Sequence, residues 1–182
     1  MKRLLFATLL LAMAACTGVP VAVDYDTDYD FSNLETYAWL EPKAKLIIDP
    51  FVDNDLMNQR LRQALESHMS KRGFTLVADT SGADILVSYH LSSHEKNTVA
   101  NYHSHFGYYP CRRCWYDGFH SSPNLSIKQY RSGSFIIDFI EPKKRELVWR
   151  GVSERRLPRG TPQQRDQFVN DIIAAIIMRF PG

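Results

Sequence analysis

The sequence predicts a single α+β domain, a largely antiparallel β-sheet with two amphipathic helices packed on one face. Three observations lead there. Several runs alternate apolar and polar side chains with a strand's period of two. Two longer stretches repeat apolar side chains at helical spacing between recognisable caps. The resulting order, β-β-α-β-β-loop-β-β-α, lacks the regular strand–helix–strand alternation of a parallel fold.

Val21 to Phe31 alternates strictly, with Val21, Val23, Tyr25, Thr27, Tyr29 and Phe31 on one side and four aspartates, Asp24, Asp26, Asp28 and Asp30, on the other. Asp24, Asp26, Asp28 and Glu35 match positions 1, 3, 5 and 12 of a calcium loop, but Tyr29 stands where that loop needs glycine. The expectation is a solvated strand face. Thr36 to Leu40 is a second strand, ended by Pro42. Asp53 to Arg72 is the first helix, capped by Asp53, Asn54 or Asp55, stopped by Gly73, and striped by Met57, Leu61, Ala64, Leu65 and His68. His68 falls at the stripe's edge and is read as structural.

Phe74 to Ala78 and Ala83 to Ser92 follow as strands. Asp84, Ser88 and His90 share one strand face without a nucleophile elbow, so they do not make a hydrolase triad. Residues 125–140 and 146–156 form a strand pair joined at the exposed Lys143–Arg145 turn. Thr161-Pro162-Gln163-Gln164 opens the second helix with a capping box and a proline at its first position. Its apolar face, Phe168, Val169, Ile172, Ile173, Ala175, Ile176 and Ile177, ends near Phe180-Pro181-Gly182.

The N-terminus sets the address. Lys2 and Arg3 precede an apolar run from Leu4 to Ala15, too short for the roughly 20 residues of a membrane span. Met13-Ala14-Ala15-Cys16 resembles the lipobox of bacterial lipoproteins. That resemblance implies diacylglyceryl transfer to the Cys16 sulfur, cleavage before Cys16, and acylation (palmitate-type) of the new amino terminus. In such lipoproteins an aspartate after the cysteine favours inner-membrane retention, so with Thr17 there the resemblance implies the outer membrane, with the domain facing the periplasm. Residues 1–15 are thus a signal peptide, 16–20 the lipidated cysteine and tether, and 21–182 the domain. Each tether residue reaches at most about 3.5 Å, which keeps the domain close to its membrane.

Removing residues 1–15 takes two of the 22 basic side chains, leaving 20 against 20 acidic ones. A neutral exported chain is a poor match for nucleic acid. Its remaining 167 residues, 182 less 15, can bury a substantial core. No Gly-x-Ser-x-Gly, His-Glu-x-x-His, P-loop or dinucleotide fingerprint occurs, so the expectation is a non-enzymatic protein without a cofactor.

A long segment, about 95–125, carries no regular pattern but concentrates unusual chemistry. Cys111 and Cys114 would form a local disulfide in an oxidising compartment. Alternatively they form half of a zinc-type site completed by His103, His105 and His120, or a thiol–disulfide exchange pair beside Arg112 and Arg113. The surrounding aromatic residues, Tyr102, Phe106, Tyr108, Tyr109, Trp115, Tyr116 and Phe119, either fold back on the sheet or meet lipid headgroups or an envelope protein.

Several segments stand in a recognisable order: Val23-Asp24-Tyr25, Phe31-Ser32, Thr36-Tyr37-Ala38-Trp39, Ala83 to His90, Gly133 to Asp138, and Leu147-Val148-Trp149-Arg150-Gly151. Together they resemble domain-of-unknown-function family 4136 (DUF4136), lipoproteins of Gram-negative bacteria. The resemblance implies an envelope lipoprotein with an α+β fold, and brings no catalytic residues to carry over.

Overall fold

The computed structural model describes residues 18–41, 52, 54–101 and 125–181. Six strands and two helices follow one another as β1 (Ala22–Tyr25), β2 (Thr36–Trp39), α1 (Asp55–Lys71), β3 (Thr75–Leu76), β4 (Ile85–Asn101), β5 (Leu125–Ile140), β6 (Leu147–Arg156) and α2 (Pro162–Ile177). They form one open sheet of order β1-β6-β5-β4-β2-β3, with both helices on one face. This is the expected α+β domain, with one qualification. β2 pairs in parallel with both β3 and β4, whereas the other neighbours are antiparallel. Helix α1 carries the chain from the end of β2 back to its start, so β3 must run the same way as β2.

Alternation in β4 and β5 sends Ile85, Val87 and Leu91 with Phe135, Ile137 and Phe139 toward the helices. From α1 come Met57, Leu61, Ala64, Leu65 and Met69; from α2 come Val169, Ile172, Ile173, Ile176 and Ile177. The caps are those read from the sequence. Asn54 accepts from the Met57 amide at 3.0 Å, and Thr161 and Gln164 complete a capping box. His68 is structural, its Nε2 3.0 Å from the Asn170 side-chain oxygen across the helix pair.

At the centre sits Phe180, just past α2. It stacks on Phe139 at 4.1 Å and meets Trp149, Phe31 and Phe74 at 5.4, 5.6 and 5.9 Å. Gly151 makes room for the Trp149 indole, since a Cβ there would lie 2.6 Å from Ile176 and closer still to the Trp149 ring. That geometry accounts physically for the Trp-Arg-Gly run of β6.

Two strand expectations are corrected. The alternation of Val21–Phe31 does not make one long strand: β1 stops at Tyr25, and Val23 and Tyr25 are exposed. Asp26 accepts from the Asp28 amide and Asp30 from the Ser32 amide, both at 2.9 Å, turning the chain so that Phe31 enters the core. Only Asp24 of the four aspartates therefore lies on a strand. The second correction concerns the long loop, which does not begin at about 95: β4 stays paired with β5 as far as Asn101↔Leu125.

Burial of Phe180 and the tight approach at Gly151 give two expected outcomes. Phe180→Ala lowers unfolding free energy by about 3–5 kcal/mol, and Gly151→Ala by about 1–3 kcal/mol, measured by denaturant titration. Gly151→Ala with unchanged stability would show that the indole has space to move.

Candidate functional site

Strand directions bring three features to one end of the sheet. β6 ends at Arg156, paired with Ser132, and the Leu157 amide donates to the Arg131 carbonyl at 2.9 Å. Beyond that point β4 and β5 continue alone for six residue pairs, from Lys96↔Tyr130 to Asn101↔Leu125. At about 3.4 Å per residue this two-stranded arm extends about 20 Å past the six-stranded sheet. Segment 102–124 connects its two strands.

The residues preceding β1 arrive at the same end. β1 runs antiparallel to β6, with Ala22 beside Val152, and the Ser153 hydroxyl donates to the Pro20 carbonyl at 2.9 Å. Residues 20 to 18 therefore lead back along β6 toward Arg156. Val19 packs against the core edge.

The third feature is a cavity of about 620 Å³ between the starts of α1 and α2 and the base of the arm. Five arginines line it: Arg60, Arg131, Arg156, Arg159 and Arg165. Arg60 pairs with Asp166, and Arg131 with Glu95 at 2.9 Å. Arg156 lies over the Tyr130 ring at 5.1 Å. No carboxylate among the described residues pairs with Arg156, Arg159 or Arg165. Met57, Leu157, Pro158 and Phe168 give the cavity an apolar wall.

The sheet face away from the helices carries a charge lattice. Asp138, its side chain only 4% exposed, takes a two-pronged ion pair from Arg150 at 2.7 and 2.8 Å. That hydrogen bonding raises the Arg150 pKa. His90 Nε2 stands 3.7 Å from the same carboxylate. Nearer the arm, Glu154 accepts from Lys96 at 2.5 Å and lies 3.0 Å from His94 Nε2. The Lys96 hydrogen bond chiefly holds the Glu154 carboxyl below its ordinary range. The Ser132 hydroxyl also bonds Glu154, and together these contacts tie neighbouring strands.

Asp84 is likewise committed to structure rather than to His90. It accepts from the Glu35 and Thr36 amides at 3.1 and 2.8 Å and from the Thr36 hydroxyl at 2.7 Å. Thr36, with its side-chain hydrogen bond first, lowers the Asp84 pKa. Among the described residues no three His, Cys, Asp or Glu side chains converge as metal ligands. The turn carboxylates Asp26 and Asp30 instead bond their own backbone. Cys16, Cys111, Cys114, His103, His105 and His120 lie outside the described residues. Sequence reading missed the cavity because its five arginines come from four separate segments, of which only Arg155-Arg156-Leu157-Pro158-Arg159 concentrates basic residues.

An open mixed sheet with two helices on one face, its central hairpin prolonged into an arm, defines an α+β domain. The chain belongs to the DUF4136 family, a domain of unknown function whose model matches residues 21–182. Among solved structures, it is similar to a PDZ domain protein from Parabacteroides distasonis, with a TM-score of 0.53 and 15% identity. That match covers 90% of this chain and 35% of the other, so the chain spans about a third of that protein's length. It is also similar to a DUF4136 family protein from Bacteroides thetaiotaomicron, with 17% identity, coverage of 88% and 93%, and a TM-score of 0.42. A PelC dodecamer from Paraburkholderia phytofirmans matches at 8% identity, coverage of 87% and 94%, and a TM-score of 0.46. At these identities the likeness extends to the fold alone. No curated protein matches the sequence.

The Asp84 clamp gives a pH-dependent outcome. Its folded pKa lies below the ordinary 3.8, so its stabilisation is present above that value and lost as pH falls through the lower folded one. Asp84→Asn costs about 1 kcal/mol at neutral pH, screened by its exposure, and nothing at pH values below the folded pKa. Denaturant titrations at pH 7 and at strongly acid pH check this; an equal cost at both would remove the carboxylate from the account.

Proposed function

We propose that this protein is an outer-membrane lipoprotein, anchored through Cys16, whose domain is a non-enzymatic structural or interaction module of the cell envelope. The lipobox-like Met13-Ala14-Ala15-Cys16 supports the anchor. One structural observation carries the reading further. The hydrogen bond from Ser153 to Pro20 aims the tether toward the end of the sheet from which the arm projects. A membrane holding Cys16 would thus lie on the arm's side. The aromatic segment between the arm strands would then be within reach of lipid headgroups or of a protein held at the same surface, boundaries that suit Trp and Tyr. The absence of a catalytic motif from the sequence agrees with a binding role.

No helix among the described residues is long and apolar enough to cross a membrane. A lipid on Cys16 would therefore supply the attachment, and two or more acyl chains hold stably where one does not. In cells fed labelled palmitate the expected outcome is label in the wild type, co-sedimenting with outer membranes, and none in Cys16→Ser. An unlabelled wild type recovered in the soluble fraction would sink the anchor.

For the arm segment, a disulfide between Cys111 and Cys114 is the proposed state, with a zinc-type site including His103, His105 and His120 as the second reading. Thiol titration and metal analysis on one preparation decide between them. No free thiol and no metal is expected; stoichiometric zinc lost in Cys111→Ser would overturn the disulfide.

A further inference from the structure

The arginine cavity has no counterpart in the function proposed above. Its volume of about 620 Å³ falls within the usual range of small-molecule sites and is several times the room one inorganic phosphate fills. Two of its arginines are neutralised, Arg60 by Asp166 and Arg131 by Glu95. Among the described residues no carboxylate pairs with Arg156, Arg159 or Arg165, and Asp55 is the one carboxylate of that set that lines the cavity. At the start of α2 the Gln164 and Thr161 amides are already met by the capping box, so the excess charge lies with the arginines. Three unneutralised guanidinium groups around one hollow repel one another, and a bound anion relieves that repulsion.

The donor chemistry narrows the ligand. A guanidinium presents a planar fork of N–H donors that matches phosphate oxygens two at a time. The wall of Met57, Leu157, Pro158 and Phe168 offers nothing to a bare ion but suits an apolar body. We propose that this cavity is a binding site for the phosphate group of an anionic amphiphile, with its apolar part against that wall. Where the amphiphile comes from rests on the anchor reading: a tether leading toward Arg156 would bring the cavity near a membrane surface, where phospholipid headgroups supply this chemistry. Binding itself does not require the anchor.

The mature chain, purified in a non-ionic detergent, is titrated with dihexanoylphosphatidylglycerol, with dihexanoylphosphatidylcholine and with inorganic phosphate. Saturable binding of the phosphatidylglycerol is expected, at least tenfold tighter than of either other probe. Arg159→Gln and Arg165→Gln, both at exposed positions, should each weaken it about tenfold while leaving the thermal midpoint unchanged. Inorganic phosphate binding as tightly as the amphiphile, with the same loss in both variants, would keep the phosphate site and make free phosphate its occupant. No saturable binding of any probe, or binding that both variants leave intact, overturns the proposal. Labelling at Cys16 is read separately, so loss of the anchor and failure of the cavity are told apart.

Discussion

The fold depends on how a large aromatic cluster is closed against the sheet. Trp149 lies across the missing side chain of Gly151, and Phe180 covers it from beyond the end of α2. Phe139 stacks beneath Phe180, Phe31 meets it edge-on and Phe74 at a tilt. These rings come from β5, β6, the β1–β2 connection and the segments following both helices. Because each touches the same residue, shifting α2 along its axis would disturb all of them at once. Close packing of this kind resists small displacements. It fixes where α2 begins, and hence where the cavity lies relative to the arm.

Charge is nearly balanced over the sequence, 22 basic against 20 acidic side chains, but not in space. On the open sheet face the ionic groups are paired, as in Asp138 with Arg150 and Glu154 with Lys96. At the end of β6, cations outnumber their partners. Exposed pairs of the first kind contribute little each to stability. Their effect is to hold neighbouring strands in register, and they leave the surplus positive charge concentrated at one end. Net charge alone would describe this surface as bland.

Much of the architecture was legible where local chemistry acts alone. Asn54 and the Thr161–Gln164 box cap helices through contacts within a few residues, and the alternation in β4 and β5 sorts faces directly. Three things were not legible. The Val21–Phe31 alternation extends past Tyr25, but the Asp26 and Asp30 side chains compete for the backbone and turn it. At the start of the arm, residues such as Lys96 and Asn97, like Glu95 just before them, are polar, so no apolar periodicity marks them as strand. Phe180 lies after the last helical residue, beside a proline, where nothing local indicates burial. The cavity shares this origin, because its arginines meet only through the tertiary fold.

The pairing of β1 with β6 also bears on the order of events during synthesis. Ala22 waits for Val152, and the aromatic cluster waits for Phe180, so the earliest strand has no partner until most of the domain exists. Contacts this distant in sequence make folding slow compared with helical bundles of similar size. A nascent chain is therefore left for much of its emergence as an unclosed polymer, its β4–β5 ribbon the first sheet structure able to form from near neighbours. Such a chain stays threadable until Phe180 is made, and only then can sheet and core close together.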